Sequence, residues 1–441
     1  MTTAKIPPSA SSFLVNFIGG VFFIAAANIT FAVLPESDVF TLSVVGITAA
    51  LIPILLGEIF ILKVHKRPGV GFLDTAIAKD TERLKTKLLG YYGSLALILL
   101  FYLFVPLYWH DEFFNPALSY FFPLLMIYVI GGPIYFSEFD HRLDRPKDGF
   151  WHFGALLMGR RDEVDPKIIV HHLKSIGLRA FYVPVMLSYF SIYIAFLMKG
   201  HGEFIDANLT ISSDFTWYGI LKFIMLIYFF LGAMDILFGL IGYFMTFRVL
   251  DSHIRSLDPT LVGWLVCLAC YYPFWEVLMI KVFFDDFFAN PEWHTWLSDF
   301  PLLLVVWGVL SIVFMCTEAL ATLTFGIRFS NLTYRGVLTS GPFRFTKHPQ
   351  YVSKMLNRLF VYVPFLSLGG PLGSLQLMVM FSGICFIYYL RARTEENHLS
   401  QYPEYVAYAN WINERGIFRG IAKRFPFLIY SEEKAKVGKL F

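Results

Sequence analysis

Two short stretches near the C-terminal end hold the residues best suited to chemistry. The first is GPFRFTKHPQY, residues 341–351, which sets Arg344, Lys347 and His348 among aromatic side chains. The second is RARTEEN, residues 391–397, which carries Arg391, Arg393, Glu395 and Glu396. Together they offer cations, carboxylates, an imidazole and aromatic rings. A carboxylate can hold ribose hydroxyls or an ammonium, and a guanidinium can fork onto a carboxylate or phosphate. An aromatic face can hold a sulfonium or an adenine ring. The combined set suits a zwitterionic, nucleotide-like ligand. The plainer alternative is a basic membrane anchor with ordinary ion pairs along a helix. On one helix Arg391 and Glu395 share a face at i,i+4, and Arg393 and Glu396 share another at i,i+3.

The sequence between the clusters decides whether they meet. Residues 353–367 and 370–390 read as two apolar helices joined by a turn at Gly369, Gly370 and Pro371. Such a hairpin returns the chain to the membrane face it left. The whole chain supports this reading. Its 441 residues are 56% hydrophobic and only 16% charged, which points to an integral membrane protein. A bilayer core needs about 20 apolar residues per helix. The expected fold is an all-α, polytopic bundle of about ten transmembrane helices. They fall near 12–34, 40–62, 88–108, 116–136, 178–198, 216–247, 260–283, 300–325, 353–367 and 370–390. The first run is long enough to span and does not look like a cleavable signal peptide.

Lys and Arg concentrate in the even-numbered loops, so the positive-inside rule puts both termini in the cytoplasm. The membrane would be the inner or plasma membrane in a bacterium and the endoplasmic reticulum in a eukaryote. Residues 1–299 form a membrane region with no assigned role, and residues 300–441 a membrane core with a cytoplasmic tail. Within the fourth loop, FWHFGALLMGRRDE suits an amphipathic helix on the membrane surface. His171 and His172 read as part of a solvated loop. Asn208 opens an NLT sequence in an outward loop, a glycan acceptor only in a eukaryotic secretory membrane. The basic residues are scattered, so no nucleic-acid surface is expected. Cys267 and Cys270 have CxxC spacing with no second pair, which favours inert buried thiols over a metal site.

Six ionisable residues fall inside apolar runs: Glu58, Lys222, Asp235, Glu276, Glu318 and Arg358. Each costs about 2.5–3.5 kcal/mol at a helix centre on insertion scales. Either they pair between helices, for example Arg358 with Glu318 or Glu276, or they line a polar cavity. Glu276, Glu318 and Arg358 are the candidates for a substrate cavity.

The two clusters resemble the isoprenylcysteine carboxyl methyltransferase family and its relatives among phospholipid methyltransferases. That family's pattern runs G-x-[YF]-x-x-x-R-H-P-x-Y, then a hairpin, then R-x-E-E and a downstream Tyr pair. Here it reads Gly341, Phe343, Lys347, His348, Pro349 and Tyr351, then Arg393, Glu395 and Glu396, then Tyr405 and Tyr408. The resemblance covers about the last quarter of the chain. It implies S-adenosylmethionine bound at the cytoplasmic face and methyl transfer to a lipid-borne acceptor, isoprenylcysteine carboxylate-like or phospholipid-like. It implies that His348, Pro349 and Tyr351 line one side of the cofactor pocket, and Arg393, Glu395 and Glu396 the other. Arg344 would orient the acceptor, and His348 would be a general base if the acceptor is an amine. A carboxylate acceptor is already ionised near pH 7 and needs only positioning and desolvation. Two departures stand out. Lys347 replaces the family's Arg, and Lys354, Asn357 and Arg358 make the next helix unusually polar.

Two other functions compete: a sterol-type reductase using NADPH, and a non-catalytic membrane binder or transporter. Cofactor binding separates them. Under the leading reading, Glu396→Ala or His348→Ala weakens S-adenosylmethionine binding and leaves the fold intact.

Overall fold

The computed structural model describes residues 6–206, 217–277 and 291–432. Asn208 lies outside them. The chain runs through α1 (Phe13–Val33), α2 (Val39–Leu56), α3 (Thr81–Phe104), α4 (Asn115–Phe139), α5 (Gly149–Leu157) and α6 (Pro166–Asp206). It continues through α7 (Trp217–Phe244), α8 (Leu261–Leu268), α9 (Pro301–Phe325), α10 (Pro349–Tyr362), α11 (Gly370–Leu399) and α12 (Pro403–Arg415). Eight helices among the described residues are long and apolar enough to cross a bilayer: α1, α2, α3, α4, α6, α7, α9 and α11. The architecture is that of an all-α, multi-pass membrane protein.

Local chemistry starts these helices. Asp38, Asp80 and Thr260 cap α2, α3 and α8 by accepting backbone N–H bonds from Thr41, Arg83 and Gly263. The outer faces are apolar. Phe104 is 79% exposed, Leu302 72% and Leu372 77%. Lipid rather than water is the solvent such faces require. The inner faces meet in one core, where Phe23 of α1, Leu42 of α2, Phe190 of α6, Phe238 of α7 and Leu323 of α9 pack together.

The segment expected to span continuously at 260–283 is broken. α8 stops at Leu268, a turn follows, and a single helical turn covers Phe274–Glu276; residues 278–290 lie outside the described part. Pro273 explains the break, because it lacks an N–H and its ring clashes with a preceding helical turn. Non-helical backbone at membrane depth is tolerated where it is covered by protein or lines a cavity. The ends around this segment are fixed by a small antiparallel pair. β1 (Ser256–Leu257) pairs with β2 (Thr333–Tyr334), which sets the exit of α7, the start of α8 and the end of α9 on one side.

The expected span at 353–367 is the 14-residue α10. At 1.5 Å per residue it reaches about 21 Å, short of a bilayer core of roughly 30 Å. It still forms a hairpin with α11.

Two features of the fourth loop differ from expectation. The segment FWHFGALLMGRRDE forms α5, whose apolar face packs into the protein against α3. Its Trp151, His152, Phe153, Gly154 and Ala155 are buried. Gly90 of α3 and Gly154 of α5 let the two backbones touch. A Cβ at Gly90 would come 1.8 Å from the Phe150 carbonyl oxygen, and one at Gly154 1.8 Å from that of Thr86. Period alone cannot tell a lipid-facing stripe from one that meets a glycine-lined neighbour. His171 and His172 are likewise helical, early in α6, and His172 is buried with Nε2 3.0 Å from Ser94 Oγ.

Candidate functional site

The α10–α11 hairpin brings the two clusters together. His348 ends the loop before α10, Tyr351 lies in that helix's first turn, and Arg391 to Glu396 form the last turns of α11. Glu396 is the centre of the contact. It is buried, and its Oε1 lies 2.7 Å from Lys347 Nζ and 3.1 Å from His348 Nε2. Its Oε2 accepts from Arg393 at 2.5 Å, the pairing expected from i,i+3 spacing. Burial holds the Lys347 ammonium below its ordinary pKa, while the nearby Glu396 carboxylate opposes that shift.

Glu395 behaves differently. Its Oε2 accepts the Tyr351 hydroxyl at 2.7 Å, and His348 Nδ1 lies 3.9 Å away. The His348 and Tyr351 rings stack at 5.5 Å. Arg391 does not pair with Glu395 in spite of its i,i+4 position. Its guanidinium donates to Asn331 Oδ1 and lies 3.4 Å from the Tyr271 hydroxyl, over the faces of Tyr271 and Tyr351. Among the described residues no carboxylate lies within ion-pair distance of it. The buried Arg391 therefore keeps its charge against neutral oxygens and aromatic faces.

These residues line a cleft. His348, Tyr351, Arg391 and Glu395 form one wall, and the loop from Phe329 to Leu338 forms another. Tyr405 and Tyr408 of α12 close the floor. The Tyr405 hydroxyl is buried and has no hydrogen-bond partner. Burial and the Glu395 and Glu396 carboxylates push its pKa well up, so it remains a donor. A buried donor without an acceptor, at a cleft wall, is a place for a ligand atom. Tyr408, by contrast, is used up on the Phe343 and Thr346 carbonyls. The enclosed space is about 90 Å³, below the roughly 150 Å³ cavity that admits benzene. A nucleoside-sized ligand must displace side chains around it.

The other predicted residues divide. Pro349 is buried as the first residue of α10, and Arg393 works through Glu396; neither contributes to the lining. Arg344 is exposed and outside the lining. The intramembrane charges form separate pairs. Glu318 lies 3.2 Å from Lys354 Nζ, and Asp235 lies 3.8 Å from it. The expected pairing of Arg358 with Glu318 or Glu276 is replaced: Arg358 donates to the Tyr388 hydroxyl at 2.8 Å and sits over Trp275. Glu276 is half-buried at the end of the broken helix. Glu58 forms a bidentate pair with Arg328 at 2.7 and 3.0 Å, fully buried. Glu58, Asp235, Glu318 and Arg358 stitch helices, and of these and their charged partners only Arg328 lines the cleft.

Sequence reasoning missed Asn331, Tyr271, Tyr334 and His398. Tyr334 stacks on Tyr402 at 3.6 Å, and His398 Nε2 lies 2.8 Å from Ser256 Oγ. The β1–β2 pairing sets Tyr334 opposite Ser256, the partner of His398, and two-residue strands leave no period to read. No protein-family profile, curated protein or solved structure matches this chain.

Proposed function

We propose that the protein is an integral membrane S-adenosylmethionine-dependent methyltransferase acting on a lipid-borne acceptor. One observation carries the reading: Arg391 and Glu395, one helical turn apart, both line the cleft, and among the described residues neither is neutralised by an opposite fixed charge. A cation and an anion so placed fit an α-amino acid zwitterion. Arg391 would bind its carboxylate, and Glu395 its ammonium. The Tyr351 ring and the free Tyr405 hydroxyl offer an aromatic face and a donor to the remainder of the ligand. Bound there, the cofactor would supply a methyl group on a sulfonium.

Glu396 has a different part in this proposal. Its charge is consumed by Lys347, Arg393 and His348, so it positions the pocket wall and does not bind ligand. His348 is oriented by Glu396 through Nε2 and by its stack on Tyr351, which leaves Nδ1 toward Glu395. Because this ring is held and lines the cleft, it is the group best placed to take a proton from an amine acceptor.

Thermal stabilisation of the purified full-length protein tests this. S-adenosylhomocysteine at 100 times its Kd should stabilise the native state by about 2.7 kcal/mol. Stabilisation by NADPH with none by S-adenosylhomocysteine would replace the proposal with the reductase. Transfer of a labelled methyl group to a total lipid extract would identify the acceptor.

A further inference from the structure

A large cavity lies in the region with no assigned role. It encloses about 1200 Å³ between α2, α4 and α6 and the loops that follow α4 and α7. Ligand cavities usually measure about 300–1,000 Å³. Val44 of α2 and Ile127 and Ile134 of α4 line it and are 41%, 65% and 61% exposed, on apolar helix faces. The cavity is thus reachable from the side. Toward its interior it adjoins a smaller apolar pocket of about 170 Å³, with Tyr91, Leu124, Tyr128, Arg179, Leu187 and Phe244 lining both.

The polar groups of this cavity are unbalanced. Three of its charges are already spent: Arg248 on Asp144 at 2.7 Å, Arg255 on Asp251 at 2.9 Å, and Asp148 on Lys87 at 3.1 Å. Arg179 is not. It lies in α6, and its Nε donates only to the Ser175 carbonyl at 3.1 Å. Among the described residues neither Arg179 nor Arg145 has an ion pair. His171 Nε2 and His253 Nδ1 are buried at the same cavity without hydrogen-bond partners. An unpaired guanidinium within a membrane-spanning helix is costly and marks a functional site by default.

We infer that this cavity binds a lipid with an anionic phosphate headgroup, held by Arg179, with its hydrocarbon chain along the Leu124, Leu187 and Phe244 wall. The desolvated Arg179 guanidinium and two open imidazole nitrogens, with the exposed Arg145 also in the lining, offer more than one carboxylate needs. A phosphate monoester carries about −1.5 to −2 charge and three acceptor oxygens, which matches them. The lateral opening suits a ligand delivered from the bilayer. The site is separate from the C-terminal cleft and does not depend on the activity proposed for it.

The test uses full-length protein in detergent. Phosphatidic acid should raise Tm more than phosphatidylcholine with the same chains, and Arg179→Met should abolish that difference. Equal shifts with the two lipids, or an unchanged preference in the variant, would overturn the inference. An equal or larger shift with oleate would overturn the phosphate headgroup in favour of a carboxylate. If the variant does not fold, wild-type protein is photolabelled with a diazirine phosphatidic acid. Adducts are expected within residues 118–128 or 183–187, and adducts confined to other segments would reject the site.

Discussion

The C-terminal cleft and the N-terminal cavity handle charge in opposite ways. Around the cleft, Lys347, His348 and Arg393 converge on one carboxylate, Glu396, within a tightly filled space of about 90 Å³. Around the cavity, about 1200 Å³ stays open beside Arg179, which has no carboxylate partner among the described residues. A buried network that satisfies its own charges builds a rigid wall. A buried charge left unsatisfied asks for something from outside. Within the cleft the same contrast recurs on one helix: Glu396 is satisfied, whereas Arg391 and Glu395 are not neutralised.

Variants can break that contrast. Glu396→Ala should have the largest effect, because it strands the Lys347 and Arg393 cations, whose side chains are only 9% and 19% exposed. Loss of one partner of a buried pair costs about 3–5 kcal/mol, so this variant should fall well below wild type in thermal unfolding. It tests the fold-preserving pocket variant expected from sequence; a near-wild-type Tm would show that the network contributes little. Glu58→Ala should cost a similar amount by stranding Arg328, about 3–5 kcal/mol. Glu58→Leu with Arg328→Met should recover most of it, because no charge is left behind. Failure of that rescue would show that the pair does more than neutralise itself.

Arg391→Gln sharpens the comparison, since its loss strands no carboxylate. Stability should change little, while S-adenosylhomocysteine affinity should fall by about 10- to 150-fold, the worth of a charge-assisted bond of roughly 1.5–3 kcal/mol. Unchanged affinity would place the ligand carboxylate elsewhere. Gly154→Ala tests the α3–α5 contact, with an expected cost of about 1–3 kcal/mol from overpacking. Arg179→Met should have the smallest effect on the lipid-free protein, within about 0.5 kcal/mol of wild type or above it, because it deletes a desolvated charge without orphaning a partner. A loss of several degrees in Tm would mean that Arg179 already has a structural partner.

Several features were legible in the residues themselves. Long apolar runs mark the membrane helices, because a span has to satisfy its backbone internally and face lipid with its side chains. The Arg393–Glu396 pair follows from helical spacing alone. The hairpin that brings Lys347 and His348 to α11 follows from a glycine-proline turn between two apolar runs. Other contacts have no local signal. Arg391 and Glu395 sit at the right spacing for an ion pair, yet Arg391 turns to Asn331 and Tyr271, which reach it from different segments. Glu318 takes Lys354 in place of Arg358 because position on α10, and not charge, selects which cation faces α9.

The amino-acid sequence by itself determined that this chain forms apolar helices and where two charged clusters interrupt them, since hydropathy and helical period are properties of neighbouring residues. Only the tertiary structure decided which charges are cancelled and which remain open. Glu396 and Glu395 are adjacent in sequence, but one is enclosed by the Lys347 and Arg393 cations and the His348 imidazole and the other meets a tyrosine hydroxyl. Arg179 looks like any basic residue near the start of a helix until the packing of α2, α4 and α6 leaves a cavity beside it. Whether a charge is satisfied depends on distances between helices, and those are set by the packing of the whole bundle.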